Sequence, residues 1–355
     1  MKKLLLLSLF FVGCSHTPSS STLGAKAPVS TYVSAISYQD LALEKPLQRI
    51  AFGSCANQDQ PEPLWQDIRE AQPDLFLFMG DNVYASHPTQ QPIAEQYRKM
   101  DQIPEYLAIR KEVPFMATWD DHDFGQRDGG ADFKGKDQAR KDFLNYWAYV
   151  KNSLPPEQQG VYHAKIIGPK NKSVQVIMLD TRYFRSPLKE SPGNEGKAQD
   201  YLPQDEGTIL GEAQWQWLEA QLKRPASVRF IVSSIQLIAK DPKYEKWGNF
   251  PKERQRFFDL LKSTKAKNVI LLSGDRHIAS IAKMNLKNYG ALYEITSSSI
   301  NRANNYADAD THYVGPVYSK ENFGLARIDW KKRTVTVDIR GFKNKVENSV
   351  KIQWP

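Results

Sequence analysis

From residue 49 onward the chain alternates short apolar runs, rich in β-branched and aromatic residues, with longer segments whose apolar positions recur at helical spacing. The short runs are bounded by turn formers and predict strands at 49–52, 74–79, 114–118, 174–179, 228–233 and 268–272, with later ones near 292–295, 325–329 and 334–339. Helices are predicted over 64–71, 93–109, 137–150, 212–222 and 252–263. In the fourth of these, Trp215, Leu218 and Leu222 share one face, which places that face against a sheet. Strands and amphipathic segments in alternation describe an α/β layered domain. The chain shows no internal repeat and, after its first residues, no apolar run of membrane length.

The N-terminal part departs from this pattern. Met1-Lys2-Lys3 leads into an apolar run over 4–12 that is too short to cross a bilayer as a mature helix, so residues 1–13 read as a signal peptide. It ends at Phe11-Val12-Gly13-Cys14, which resembles the bacterial lipobox, whose cysteine is acylated and becomes the mature N-terminus. Ser, Thr, Pro, Ala and Gly dominate residues 15–35, too few of them large and apolar to build a core. The expected organisation is therefore a lipidated N-terminus and flexible tether over 14–46, followed by one large unit over 47–355. Such a chain would be an exported bacterial lipoprotein, held through acylated Cys14 on the periplasmic or extracellular face of a membrane. In a Gram-negative host that membrane is expected to be the outer one.

Charge and composition narrow the partners only partly. The formal net charge of +8 falls by two with removal of Lys2 and Lys3. A moderately basic exported protein attracts phosphates, lipid headgroups or nucleic acid, and sign alone does not choose among them. The tryptophans and tyrosines are scattered over amphipathic segments rather than interleaved with clustered Lys and Arg, so no dedicated nucleic-acid surface is expected. Nothing in the sequence indicates an obligate protein partner. Cysteine usage adds more, because only Cys14 and Cys55 are present. With Cys14 acylated, Cys55 has no disulfide partner, and a lone thiol in an oxidising compartment is either buried and inert or protected as a metal ligand. Composition by itself favours burial.

The residues that follow the predicted strands change that balance. Gly53-Ser54-Cys55, Gly80-Asp81-Asn82-Val83-Tyr84, Trp119-Asp120-Asp121-His122-Asp123, Asp180-Thr181-Arg182 and Gly274-Asp275-Arg276-His277 each lie just beyond a strand's carboxyl end. That edge of an open α/β sheet is where ligands bind. A single Gly-Asp there is an ordinary turn or helix cap, whereas several clusters of carboxylate and imidazole gathered without matching cations would repel one another unless a bound cation neutralised them. In a loop, one carboxylate of Asp121-His122-Asp123 can bind metal while the histidine faces substrate. Tyr84 is close enough to Asp81 for both to reach one ion, with a packed aromatic as its structural alternative. Phenolate and thiolate together point to a trivalent, strongly acidic metal such as iron at one position.

In order along the chain, Ala51-Phe52-Gly53-Ser54-Cys55, Met79-Gly80-Asp81-Asn82-Val83-Tyr84, Trp119-Asp120-Asp121-His122-Asp123, Leu179-Asp180-Thr181-Arg182-Tyr183, Leu210-Gly211-Glu212 and Ser273-Gly274-Asp275-Arg276-His277 resemble the PhoD-type alkaline phosphatases and phosphodiesterases. These are a branch of the calcineurin-like, purple-acid-phosphatase-like metallophosphoesterases. Tyr293-Glu294-Ile295-Thr296-Ser297-Ser298 and Asn322-Phe323-Gly324 extend the match across essentially the whole globular part. The resemblance implies a four-layer α/β/β/α sandwich of two mixed sheets flanked by helices. It implies that Cys55, Asp81, Tyr84 and Asp275 bind Fe(3+), and that Asp81 bridges to one or more divalent ions, Ca(2+) by expectation, held also by Asp121 and by Asp120 or Asp123. His122 is expected to contact phosphate or protonate the leaving oxygen. Arg182 is expected to clamp phosphate with its fork, and His277 either to complete a metal shell or to hydrogen-bond the substrate.

The expected chemistry is in-line hydrolysis of phosphate esters by metal-activated hydroxide, without a phosphoenzyme. The rival expectations are a phosphodiesterase or phospholipase-like enzyme acting on lipid headgroups or polymers, and an inactive surface-binding lipoprotein. Many relatives carry a β-rich domain before the catalytic one, and the stretch between Cys14 and Gln48 is too short for it.

Overall fold

The computed structural model describes residues 32–36, 39–85, 92–193, 200–241, 243–306 and 309–354, so the expected signal peptide and Cys14 lie outside the described residues. In chain order the elements are β1 (Arg49–Gly53), α1 (Leu64–Glu70), β2 (Leu75–Met79), α2 (Ile93–Met100), α3 (Pro104–Glu112), β3 (Phe115–Thr118), α4 (Asp121–Phe124), α5 (Lys136–Tyr146), α6 (Ala148–Lys151), β4 (His163–Ile167) and β5 (Val174–Met178). There follow β6 (Lys189–Glu190), β7 (Tyr201–Leu202), α7 (Gly211–Leu222), β8 (Val228–Val232), α8 (Pro251–Ser263), β9 (Val269–Ser273), β10 (Ala279–Leu286), β11 (Gly290–Ser297), β12 (Phe323–Asp329), β13 (Thr334–Arg340) and β14 (Val346–Gln353).

Two six-stranded sheets, ordered β14-β13-β12-β1-β2-β3 and β10-β11-β9-β8-β5-β4, pack face to face with helices on their outer faces. This is the expected four-layer α/β/β/α sandwich. β1, β2 and β3 run parallel in the first sheet, and β5, β8, β9 and β11 in the second, with antiparallel strands toward the edges. Burial on both faces explains why the central strands read as continuous apolar runs rather than alternating ones. In β2, Leu75, Leu77 and Met79 join the inter-sheet core with Val176, Met178, Val232 and Leu272, while Phe76 and Phe78 point outward against Trp65 of α1. Trp215, Leu218 and Leu222 of α7 lie buried against the other outer face, with Ile177 and Ile231.

The strand predictions hold to within a few residues, and the departures have local causes. The helix expected over 93–109 is two helices, because Pro104 lacks an N–H to continue the first and holds Ile103 extended at φ −80° and ψ 114°. The helix expected over 137–150 is interrupted at Trp147, with φ −93° and ψ 63°. β4, β10 and β14 were not anticipated; each lies at a sheet edge, where one face or rim meets water and the apolar signal is diluted by residues such as Lys283, Asn285, Glu347 and Lys351. Part of the stretch expected as tether lies against the globule: Tyr32 Oη donates to Asp101 Oδ2 at 2.7 Å, and the Gly168 N–H donates to the Leu43 carbonyl at 2.6 Å.

Candidate metal centre and cleft

Because the central strands of each sheet run parallel, β1, β2, β3, β5 and β9 deliver their carboxyl ends to one edge of the sandwich. The polar clusters noted in the sequence meet there. The loops turn sharply, and Cys55 (φ 62°), Asp81 (φ 48°), Asp275 (φ 65°) and His277 (φ 55°) all occupy the left-handed region. Each such non-glycine residue costs about 1–2 kcal/mol in backbone strain, and its recurrence at one place marks a functional site. Gly80 precedes Asp81 at φ 105°, and a Cβ there would lie 2.5 Å from Asp120 Cβ, so only glycine lets the β2 and β3 loops come this close.

Asp81 is the centre of the arrangement. One potential ligand atom each from Cys55, Asp81 and His277 lies within 4.8 Å of the others, and the same holds for Asp81, Asp121 and His122 and for Asp120, Asp121 and Asp275. Asp81 Oδ2 accepts from Tyr84 Oη at 3.2 Å and from Cys55 Sγ at 3.5 Å, while its Oδ1 accepts from the His122 N–H at 3.2 Å. Tyr84 Oη also lies 3.1 Å from His277 Nε2, and its ring packs on His122 with centroids 4.1 Å apart. The cysteine is buried, as composition favoured, and lies in the cluster as well.

The electrostatics of this cluster are those of a cation site. Burial, and then the charges of Asp121 and Asp120, push the Asp81 carboxyl well above the usual range, and burial followed by Asp120 does the same to Asp275. Burial also raises Asp120 to about 7 against the pull of Arg182. Asp121 is held at about 2, because His122, Arg182 and the Asp128 N–H together outweigh its burial. Burial pushes the Cys55 thiol and the Tyr84 phenol upward, with Asp81 adding to both. It pushes His122 and His277 downward, His277 to about 3 with Arg302 contributing. Asp120 Oδ2 is buried with no hydrogen-bond partner, although Oδ1 accepts from Ser234 Oγ at 2.5 Å and Arg182 Nε at 2.7 Å. An orphaned carboxylate oxygen, a thiol, a phenol, two imidazoles and acids in mutual repulsion form a donor set that metal ions fit.

Two expected roles require correction. Arg182 is fully buried and its fork is consumed by carboxylates, with Nε on Asp120 at 2.7 Å and Nη1 on Glu245 at 2.5 Å. It braces the loop that carries Asp120 and Asp121 and is not among the residues lining the cleft, where a phosphate clamp would have to lie. Asp123 caps its own short helix: Oδ1 accepts from the Asp120 N–H at 2.6 Å, and Oδ2 accepts from the Asn82 N–H at 3.2 Å and from Asn82 Nδ2. Those donors occupy both its oxygens, so it orients Asp120 and Asp121 from behind. Asp180 likewise accepts from Trp119 Nε1 and from the Arg182 and Tyr183 N–H groups.

Several contributors were assigned no role from the sequence, and two of them, Glu245 and Arg302, lie outside every motif quoted above. Glu245, in an irregular segment between β8 and α8, binds both Arg182 and Arg185. Ser298 Oγ sits 3.2 Å from Cys55 Sγ and accepts the His277 N–H at 2.9 Å. The Arg302 guanidinium lies over the Tyr84 ring at 4.8 Å, and that of Arg276 over Tyr244 at 3.7 Å. The cleft itself is small, about 90 Å³, and its lining includes Asp81, Asp121, His122, Arg276, His277 and Tyr244. That is room for about three water molecules, or one phosphate-sized group.

Comparison with known proteins places this geometry among relatives. The family described as PhoD-like phosphatase matches residues 50–339. Alkaline phosphatase D of Bacillus subtilis (strain 168) is 25% identical over 320 residues, covering 76% of this chain and 54% of the relative, so the chain spans about half the length of that curated protein. Among solved structures, that of PhoD superposes with a TM-score of 0.64 at 20% identity, over 89% of this chain and 70% of the other. Purple acid phosphatase PPD1 from yellow lupin (Lupinus luteus) seeds gives a TM-score of 0.57 at 13% identity, over 87% of this chain and 54% of the other. Both superpositions establish the shared fold.

Proposed function

The chain belongs to the PhoD-like phosphatase family, and from that premise we propose that it is an exported, metal-dependent hydrolase of phosphate esters. The observation that supports the proposal is Asp81, whose carboxylate belongs to both the Cys55–His277 group and the Asp121–His122 group and so would serve both if each held an ion. Cys55 and Tyr84 favour Fe(3+) beside Asp81 and His277; Asp275, first expected on that iron, groups instead with Asp120 and Asp121, an all-carboxylate set that favours a harder divalent ion such as Ca(2+). When bound, such ions would activate water and neutralise charge on the phosphoryl oxygens. The protein's own residues do the rest. His122, with 20% of its side chain exposed beside Asp121, would contact the phosphate through its imidazole, since the burial that lowers its pKa favours the neutral ring, and Arg276, which lines the cleft, would supply the cation for the phosphate in the role first expected of Arg182. Arg182 and Asp123 hold the ligand loops in register.

The N-terminal sequence supports export and lipidation at Cys14, which would keep the enzyme at a membrane surface. A preference for diesters has one supporting observation: Tyr244, packed on Arg276, and Tyr306, 48% exposed, form an apolar shoulder beside the cleft on which a second esterified group would rest. The test is metal analysis of purified protein together with hydrolysis of a nitrophenyl phosphate monoester and its bis-ester. Asp81→Asn is expected to lose metal and both activities together. Metal-replete protein that is inert toward both esters would overturn the proposal in favour of a surface-binding lipoprotein.

A further inference from the structure

The buried part of the cleft and its exposed rim carry opposite charge. Asp81 and Asp121 are buried, and both belong to the groups assigned above to metal ions. Arg127 lines the same cleft with 54% of its side chain exposed. Among the described residues, the carboxylate within ion-pair distance of Arg127 is that of Asp128, 4.0 Å from its Nε, and that carboxylate already accepts from Tyr201 Oη at 2.7 Å. Arg302 is exposed as well, with its guanidinium over the Tyr84 ring, and among the described residues no carboxylate lies within ion-pair distance of it.

The two arginines flank His122. On the Arg302 side the imidazole packs on the Tyr84 ring, with centroids 4.1 Å apart. On the Arg127 side it lies 3.9 Å from Asp121, whose Oδ2 accepts the Asp128 N–H at 2.7 Å. The charges of both arginines reach the imidazole. A cleft of about 90 Å³ holds one phosphate-sized group. Whatever is joined to that phosphate therefore emerges past His122, between two exposed guanidinium forks shaped for phosphate oxygens. A neutral alcohol gains nothing from such a rim, and a cationic one is repelled by it. Tyr306, 48% exposed on the same rim, offers a ring to an organic group farther out.

We propose that Arg127 and Arg302 are specificity-determining residues that select substrates with a second phosphate joined to the first, phosphoanhydrides of the nucleoside diphosphate type. This rests on the phosphoesterase reading above. The terminal phosphoryl group occupies the cleft, the second phosphate lies between the two guanidinium groups, and the nucleoside rests toward Tyr306. In the reaction an oxygen from water bonds to the terminal phosphorus as the bond from that phosphorus to the bridging oxygen breaks. The nucleoside monophosphate leaves with the bridging oxygen and its electron pair, and the proton released from water passes to solvent.

The test compares adenosine diphosphate with nitrophenyl phosphate, whose leaving group is similarly basic but carries no phosphate, in metal-replete full-length protein. In wild type the KM for the diphosphate is expected to be lower by about tenfold or more. In R127M/R302M the ratio of kcat/KM for the diphosphate to that for nitrophenyl phosphate is expected to fall by about tenfold or more, mainly through KM. R127M alone leaves the contact of Arg302 with Tyr84 in place, and the ratio there is expected to fall by about threefold. Metal content is measured on every sample, and the ratio of the two substrates is read on the same loaded enzyme. An unchanged ratio in both variants, equal KM values in wild type, or cleavage of the nitrophenyl bis-ester alone would overturn this proposal and leave the hydrolase reading standing. Metal-replete protein inert toward all three compounds would overturn both.

Discussion

Arg182 separates a bracing role from a substrate-binding one. Its guanidinium is fully buried and joins Asp120 on the β3 loop to Glu245, which is held in turn by Arg185 Nε at 2.7 Å. Arg182→Met keeps most of the side-chain volume but leaves Asp120 with only Ser234 and Glu245 with only Arg185. Removing one partner of a buried pair costs about 3–5 kcal/mol, because the orphaned charge stays out of water. For a unit of this size the melting temperature should then fall by on the order of 10 °C. Metal content should fall with it, since Asp120 shares a group with Asp121 and Asp275. Calorimetric unfolding, metal analysis and product inhibition by phosphate would be measured side by side. In protein that remains folded and metal-loaded, the inhibition constant for phosphate should stay within a few fold of wild type. An unchanged melting temperature with phosphate inhibition weakened by an order of magnitude would refute this account and restore Arg182 as a clamp.

Two further outcomes are expected. Cys55→Ala should lower iron content and hydrolysis together, each by more than about tenfold, while far-UV circular dichroism stays unchanged; full iron and full rate would make Cys55 an inert core thiol. His163, which is not among the residues lining the cleft, links the sheets: its Nδ1 faces the Val161 carbonyl at 2.8 Å, and its Nε2 lies 3.4 Å from Tyr149 Oη, which accepts the Ala117 N–H. Burial lowers its pKa from 6.5 to about 4. The unfolded chain therefore takes up this proton first as pH falls, so stability is complete above about pH 6.5, declines toward pH 4 and is then level, by about 3 kcal/mol in all. His163→Gln should flatten that part of the melting-temperature profile, and an identical slope in the variant would exclude His163 as its source.

Much of the architecture was legible because doubly covered strands must be apolar on both faces. The runs at 74–79, 174–179 and 268–272 therefore stood out, and the chemistry-bearing residues could be read at their ends. The edge strands β4, β10 and β14 were not legible, since a strand with one wet side carries a diluted pattern. The same division holds at the site. Cys55, Asp81, Tyr84, Asp121, His122, Asp275 and His277 follow predicted strands directly and meet in space. Arg182 and Asp123 also follow strands, and their types fitted clamp and ligand equally well. Only their surroundings exposed them as a brace and a helix cap.

Sequence alone therefore determined which residues could do chemistry and which edge of the sheets would present them, because strand period and loop position are local properties of the chain. The tertiary structure decided what each group faces. Glu245 sits 63 residues from Arg182 and Ser298 sits 243 from Cys55, and no local pattern encodes such meetings. Whether a charged side chain binds a ligand or holds another side chain depends on which opposite charge reaches it in the folded interior, and the packing of the two sheets sets that.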